Sequence, residues 1–155
     1  MKRILTLATL LIVTLTTMVA QKTVYIPNEW RNPWPSDSLL YKESDPDNKY
    51  TWSKSRSIES DNVIVFWDKG YGSTLPSKSP SAYRVDEQEL LQKCEAFFDL
   101  EINQLGFVDP VTSNLSKYKV MVLLNHTTDW VCFGGGYDFQ VSALWLGPSA
   151  CKPVG

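Results

Sequence analysis

The 155-residue chain has a single histidine, His126, and only three cysteines, Cys94, Cys132 and Cys151. A hydrolytic zinc centre needs three or four His, Cys or carboxylate ligands, each imidazole held by a further partner. One imidazole cannot supply that set, so His126 reads as a locally bonded residue at the end of a strand, and no metal or other cofactor is expected in this chain. The cysteines have no C-x-x-C spacing, which excludes a zinc ribbon or a thioredoxin-like motif. There is no G-x-S-x-G elbow and no Lys-Ser/Thr after the glycines at 134–136, so neither a serine hydrolase nor a phosphate loop is written here, and no catalytic residue can be named. Basic residues are not clustered: 15 Lys and Arg face 17 Asp and Glu. That balance argues against nucleic acid and against anionic membrane surfaces.

Long apolar runs are also lacking beyond the first 20 residues, MKRILTLATLLIVTLTTMVA. Lys2 and Arg3 form a basic start, Ile4 to Leu15 an apolar stretch, and Ala20 a small residue before Gln21. This is the form of a cleaved secretory signal peptide, too short for a membrane span of about 20 apolar residues. No cysteine lies near the cut to accept a lipid. The expected location is therefore secreted, periplasmic or cell-surface, with no transmembrane span after cleavage. Losing Lys2 and Arg3 leaves 13 basic against 17 acidic residues, a net charge of −4 over 135 residues. That length suits one domain with a real core.

Residues 21–60 are rich in Trp, Pro, Asp and Ser. Pro27, Pro33, Pro35 and Pro46 forbid a long helix or a central strand, which predicts a loop-rich arm. Residues 61–155 then carry the periodic elements. Asn62–Trp67 and Tyr118–Leu124 are apolar, β-branched runs that read as buried strands, and Phe139–Leu146 reads as a third. Gly134, Gly135 and Gly136 read as the turn before that third strand. Between the first two strands, Asp86 with Glu89 has the form of a capping box. Leu90, Leu91, Cys94, Phe97, Phe98, Ile102 and Leu105 recur at helical spacing, and Gly106 supplies the stop. The order strand, helix, strand, strand predicts an α+β domain: a small mixed sheet with one long amphipathic helix packed on it and a Trp/Pro-rich N-terminal arm.

Aromatic residues are plentiful, with six Trp and seven Tyr. Trp67 and Trp145 fall on the predicted buried strands. Trp30, Trp34, Trp52 and Trp130 sit in loop-like sequence and, with Tyr137 and Asp138, are the candidates to face a ligand such as a glycan or a peptide. Asp129 and Asp138 flank the glycines, and two carboxylates at the right separation can act as glycosidase acid and base. Cys132 and Cys151 are the candidate disulfide pair, and Cys94 a buried thiol on the helix face. Asn114-Leu-Ser116 and Asn125-His-Thr127 fit the glycosylation sequon.

The ordered segments NVIVFWDKGYG, ELLQKCEAFFDLEINQLGF, KYKVMVLLNHTTDW, GGGYD and QVSALWLGPS, spanning about residues 60–149, resemble a family of exported bacterial zincin-like proteins of unclear function. In that family the last of these strands leads into a helix carrying H-E-x-x-H. The resemblance implies a metallopeptidase-like α+β domain, of which this chain reads as the incomplete N-terminal half. After Leu146 the chain runs GPSACKPVG, with neither the two helical His ligands nor the general-base Glu that zinc hydrolysis requires. None of the family's catalytic residues maps onto a position here. The expectations are therefore no peptidase activity at this length, zinc only with an H-E-x-x-H part that these residues lack, and self-association through an uncovered sheet edge near Phe139–Leu146. A carbohydrate- or peptide-binding module is the alternative.

Overall fold

A computed structural model describes residues 21–28 and 52–152. The expected leader at 1–20, Trp30, Trp34 and the middle of the arm lie outside the described residues. Five strands form one mixed sheet: β1 (Ser57–Glu59), β2 (Val63–Trp67), β3 (Val120–Leu124), β4 (Cys132–Tyr137) and β5 (Val141–Leu146). Their spatial order is β1-β2-β3-β5-β4. The three central strands β2, β3 and β5 run parallel, and β1 and β4 pair antiparallel on the two edges. One long helix, α1 (Glu87–Phe98), makes the crossover from β2 to β3. The protein is α+β.

Strand β2 is buried at every position, which is why it reads as an unbroken apolar run. Alternate residues feed two cores. Val63, Val65 and Trp67 join Val122, Leu124 and Leu146 under Leu90, Leu91 and Phe98 of α1. Ile64 and Phe66 point the other way, to Met121, Leu123, Val141 and Ala143. The second face is covered by the arm: Trp52 is buried there, and Val24, Tyr25 and Ile26 pack beside it. The arm is also hydrogen-bonded into the fold. Thr23 N–H donates to Lys117 O (2.9 Å), and Lys119 N–H donates to Thr23 O (3.0 Å), a parallel bridge just before β3.

Helix α1 begins as its sequence suggests, with the Asp86 carboxylate accepting Glu89 N–H at 2.9 Å. Its apolar stripe is narrower than the periodicity implies, because Phe97 and Leu105 are exposed. Beyond Phe98 the helix widens into a π-helical segment, Asp99–Gln104, and closes at Gly106 with φ 66°. The positive φ is one glycine reaches without Cβ strain.

Two expectations are corrected at the far edge. Residues Gly134–Gly136 are not a turn but the middle of strand β4, paired residue for residue with Leu144, Ala143 and Ser142. Strand β5 is accordingly interior, between β3 and β4, and the sheet edge is β4. The turn falls later, at Asp138 (φ 53°) and Phe139 (φ 56°), closed by Gln140 N–H to Tyr137 O at 2.8 Å. Two consecutive left-handed residues match the right-handed twist of a hairpin. Asp tolerates that conformation; for Phe139 it costs roughly 1–2 kcal/mol.

Candidate functional site

The outer edge of β4 has the geometry of a recognition surface. Gly147 N–H donates to Val131 O (2.8 Å), which fixes the phase of the antiparallel ladder. Hydrogen-bonded pairs alternate along such a ladder, so residues 133, 135 and 137 bond to β5, while the backbone groups of Cys132, Gly134 and Gly136 face outward. Among the described residues no strand pairs with that outer side. The edge carries no Lys and no Pro to discourage pairing, and residues 132–136 are exposed.

An aromatic platform lies on one face of this edge. Phe133 stacks on Trp145 with ring centroids 4.9 Å apart and planes 6° from parallel, and Tyr137 leans on the same indole at 5.3 Å. Gly135 sits between them. A Cβ there would lie 3.3 Å from Trp145 Cζ3, so the missing side chain makes room for the indole. At the hairpin end, Phe139 stands fully in solvent. A cavity of about 330 Å³ opens beneath the hairpin, walled by Val108, Asn114, Leu115, Gly136, Gln140 and Ser142, and the Asn114 amide donates across it to Gln140 Oε1 at 3.1 Å. Trp130, just before β4, is 70% exposed.

The other candidate residues are placed differently. Trp52 is buried against the second sheet face and presents nothing to a ligand. Tyr137 is half-buried against Trp145. The Asp138 carboxylate already accepts hydrogen bonds from Tyr25 Oη (2.9 Å) and Asn28 N–H (2.7 Å), tying the arm to the hairpin. Asp129 and Asp138 lie beyond opposite ends of β4, and a six-residue strand spans roughly 20 Å. Carboxylates so separated do not share a glycosidic bond, which needs about 5–10 Å between them. The acid–base pair is excluded.

His126 follows β3 and is packed rather than presented. Its ring stacks on Tyr83 (centroids 3.9 Å, 12°) and meets the edge of Tyr71 at 4.7 Å. Gly70 backs it so closely that a Cβ would fall 2.7 Å from the imidazole. Burial pushes the Tyr71 hydroxyl well above its usual range, and it donates to Tyr83 O at 2.9 Å. Among the described residues no three His, Cys, Asp or Glu side chains converge as a metal site. Cys132 and Cys151 are not joined; all three cysteines are free thiols. No helix of the described residues is long and apolar enough to cross a membrane.

Residues 16–155 match the family model DUF6055, described as a family of unknown function. The chain belongs to the DUF6055 family. No curated protein and no solved structure matches it. In this DUF6055 chain the outward-facing edge was the part hardest to read from sequence. Its one signal was the alternation Phe133-Gly-Gly135-Gly-Tyr137, in which aromatic and glycine positions share a face.

Proposed function

We propose that this DUF6055 chain is an exported, metallopeptidase-like domain that binds polypeptide in extended form along β4 and does not itself cleave it. The observation that carries the reading is the bare, glycine-rich antiparallel edge, whose outward N–H and C=O groups sit beside the Phe133–Trp145–Tyr137 platform. Strand addition to such an edge draws affinity from backbone hydrogen bonds and selectivity from alternate side-chain positions. The strain held at exposed Phe139 supports a contact role for the hairpin tip. The likeness of residues 60–149 to exported zincin-like proteins favours peptide over glycan, since the natural ligand of a peptidase-like scaffold is a polypeptide.

Gly134→Pro tests the edge directly. A Cβ at this position meets nothing within 4 Å, and proline is tolerated where an edge N–H faces solvent. The substitution removes an outward donor and crowds the incoming strand. Binding of fluorescein-labelled, Thr/Val-rich decapeptides, followed by anisotropy, is expected to weaken at least about tenfold, equivalent to 1.4 kcal/mol, with the thermal transition little changed. Equal binding by both proteins, or tryptophan quenching by soluble polysaccharides without any peptide response, would overturn the proposal in favour of a different surface or of glycans. A concentration-dependent dimer abolished by the same substitution would show the edge occupied by a second copy instead.

Export rests on the leader-like start, Lys2, Arg3, Ile4–Leu15 and Ala20. Expression of the full chain in a bacterium is expected to yield protein outside the cytoplasm with its N-terminus within a residue or two of Gln21. Recovery of cytoplasmic protein that retains Lys2 and Arg3 contradicts it.

A further inference from the structure

Three thiols from distant parts of the sequence lie on the α1 side of the sheet: Cys94 and Cys151 pack against one core, and Cys132 stands opposite Leu146 of that core. Cys132 opens β4 opposite Leu146, the last residue of β5, and cross-strand partners share a face of the sheet. That face is the one covered by α1, because Leu146 belongs to the α1-side core. Cys151 ends the short helical turn Pro148–Cys151 that follows β5. The turn is held to the approach of β4 by Gly147 N–H to Val131 O and by Ser149 Oγ to Asp129 O at 3.1 Å. Cys94 lies on α1, one helical turn beyond Leu90, and packs on the same core as Cys151. Leu90, Lys93, Leu146 and Cys151 share the wall of a cavity of about 410 Å³.

The Cys151 thiol is pushed up to about 11, by burial first and then by neighbouring Cys94 and Cys132, against the opposing pull of Lys93. Burial alone raises Cys94 to about 11. Both are poor nucleophiles near neutrality, because the thiolate is the reactive form. Cys132 is exposed, so an oxidant in solution reaches it first.

We propose that these residues form a thiol relay: Cys132 takes up a disulfide-bearing oxidant, and Cys151 passes the bond inward to leave a Cys94–Cys151 disulfide. With glutathione disulfide as the oxidant, the Cys132 thiolate attacks one of its sulfurs. A Cys132–glutathione disulfide forms, and the first glutathione leaves as a thiolate that takes a proton. Cys151, having lost its proton to water, attacks the Cys132 sulfur and expels the second glutathione. Cys94 then loses its proton, attacks the Cys151 sulfur and releases Cys132 as the thiolate. Overall two protein thiols are oxidised to one disulfide, and one glutathione disulfide is reduced to two thiols. The exposed sulfur is the one water solvates as a leaving group, and the final bond is the shielded one. It ties the turn after β5 to α1. This chemistry does not depend on what β4 binds.

The test is to incubate the folded protein with glutathione disulfide, block free thiols with iodoacetamide and map the peptides by mass spectrometry. The expected product is a Cys94–Cys151 cross-link with Cys132 alkylated. Cys94→Ala, which keeps an apolar contact on α1, is expected to stop at Cys132–Cys151. Cys132→Ser is expected to give the wild-type bond at least ten times more slowly. Cys132→Ala repeats the measurement, and a cooperative thermal transition in each variant shows that it is folded. The relay is overturned if the wild-type thiols remain unlinked, if Cys132–Cys151 is the end product in wild type, or if both Cys132 variants react as fast as wild type.

Discussion

Phe66→Ala is expected to cost about 3–5 kcal/mol, a large part of the roughly 5–15 kcal/mol that holds a domain together. Phe66 lies on β2, is fully shielded from solvent and faces Met121, Leu123 and Ala143 on the second sheet face. Its register partner across the parallel ladder is Leu123. Truncation removes the ring and leaves a cavity that parallel strands, fixed on both sides by hydrogen bonds, cannot collapse to fill. Urea unfolding should show the midpoint fall sharply at an unchanged slope. A loss below about 1 kcal/mol would mean that the arm closes onto the vacated space, and that the second core is more pliable than its burial implies.

Glu95→Ala is the second large effect, at about 2 kcal/mol, although Glu95 is only half-buried on α1. Its carboxylate gathers donors from the β1–β2 connection. Oε2 accepts the Ser60 hydroxyl at 2.5 Å and the Asn62 N–H at 3.3 Å, and Oε1 accepts the Asn62 side-chain amide. Asn62 in turn takes a hydrogen bond from Lys22 at 2.5 Å, and the Lys22 ammonium lies 4.5 Å from the centre of the Phe98 ring. Burial holds Lys22 below the usual lysine range, against the pull of Glu95 and Asp61. Removing Glu95 takes the acceptor from both Asn62 donors, leaves the Ser60 hydroxyl only its longer contact to Val63 O (3.3 Å), and loosens the point where helix, sheet and arm join. Glu95→Gln keeps part of the acceptor capacity and is expected to lose less. Equal losses for Ala and Gln would show that charge, not hydrogen bonding, holds this junction.

The elements that could be read from sequence are those whose burial leaves a periodic trace. Strands β2 and β3 sit in the parallel core and are apolar nearly throughout, and α1 announces itself through Asp86 and the Leu90–Leu91–Phe98 stripe. Strand β1, three residues of mixed polarity on an edge, leaves no such trace. Strand β4 misleads because glycine is the usual mark of a turn. Here Gly135 yields space to Trp145 and Gly136 lets the backbone of Val141 come close, a Cβ there falling 2.7 Å from Val141 O, while at Gly134 a side chain would meet nothing within 4 Å. The same substitution of backbone for side chain hid the candidate site. An edge of unpaired amides is a property of strand order, and strand order is not encoded locally. Trp52 shows the converse: its loop-like neighbours suggest exposure, yet the arm folds back and buries it.

That arm has a kinetic consequence. Residues Thr23, Tyr25 and Asn28 are made early, but their anchors are Lys117, Lys119 and Asp138, about 90 to 115 positions later. Contacts so remote in sequence form slowly and late. Residues 21–28 must therefore wait until residues 117–138 have been made, and until then the Phe66 face of the sheet stays open to any other strand or apolar surface that arrives sooner.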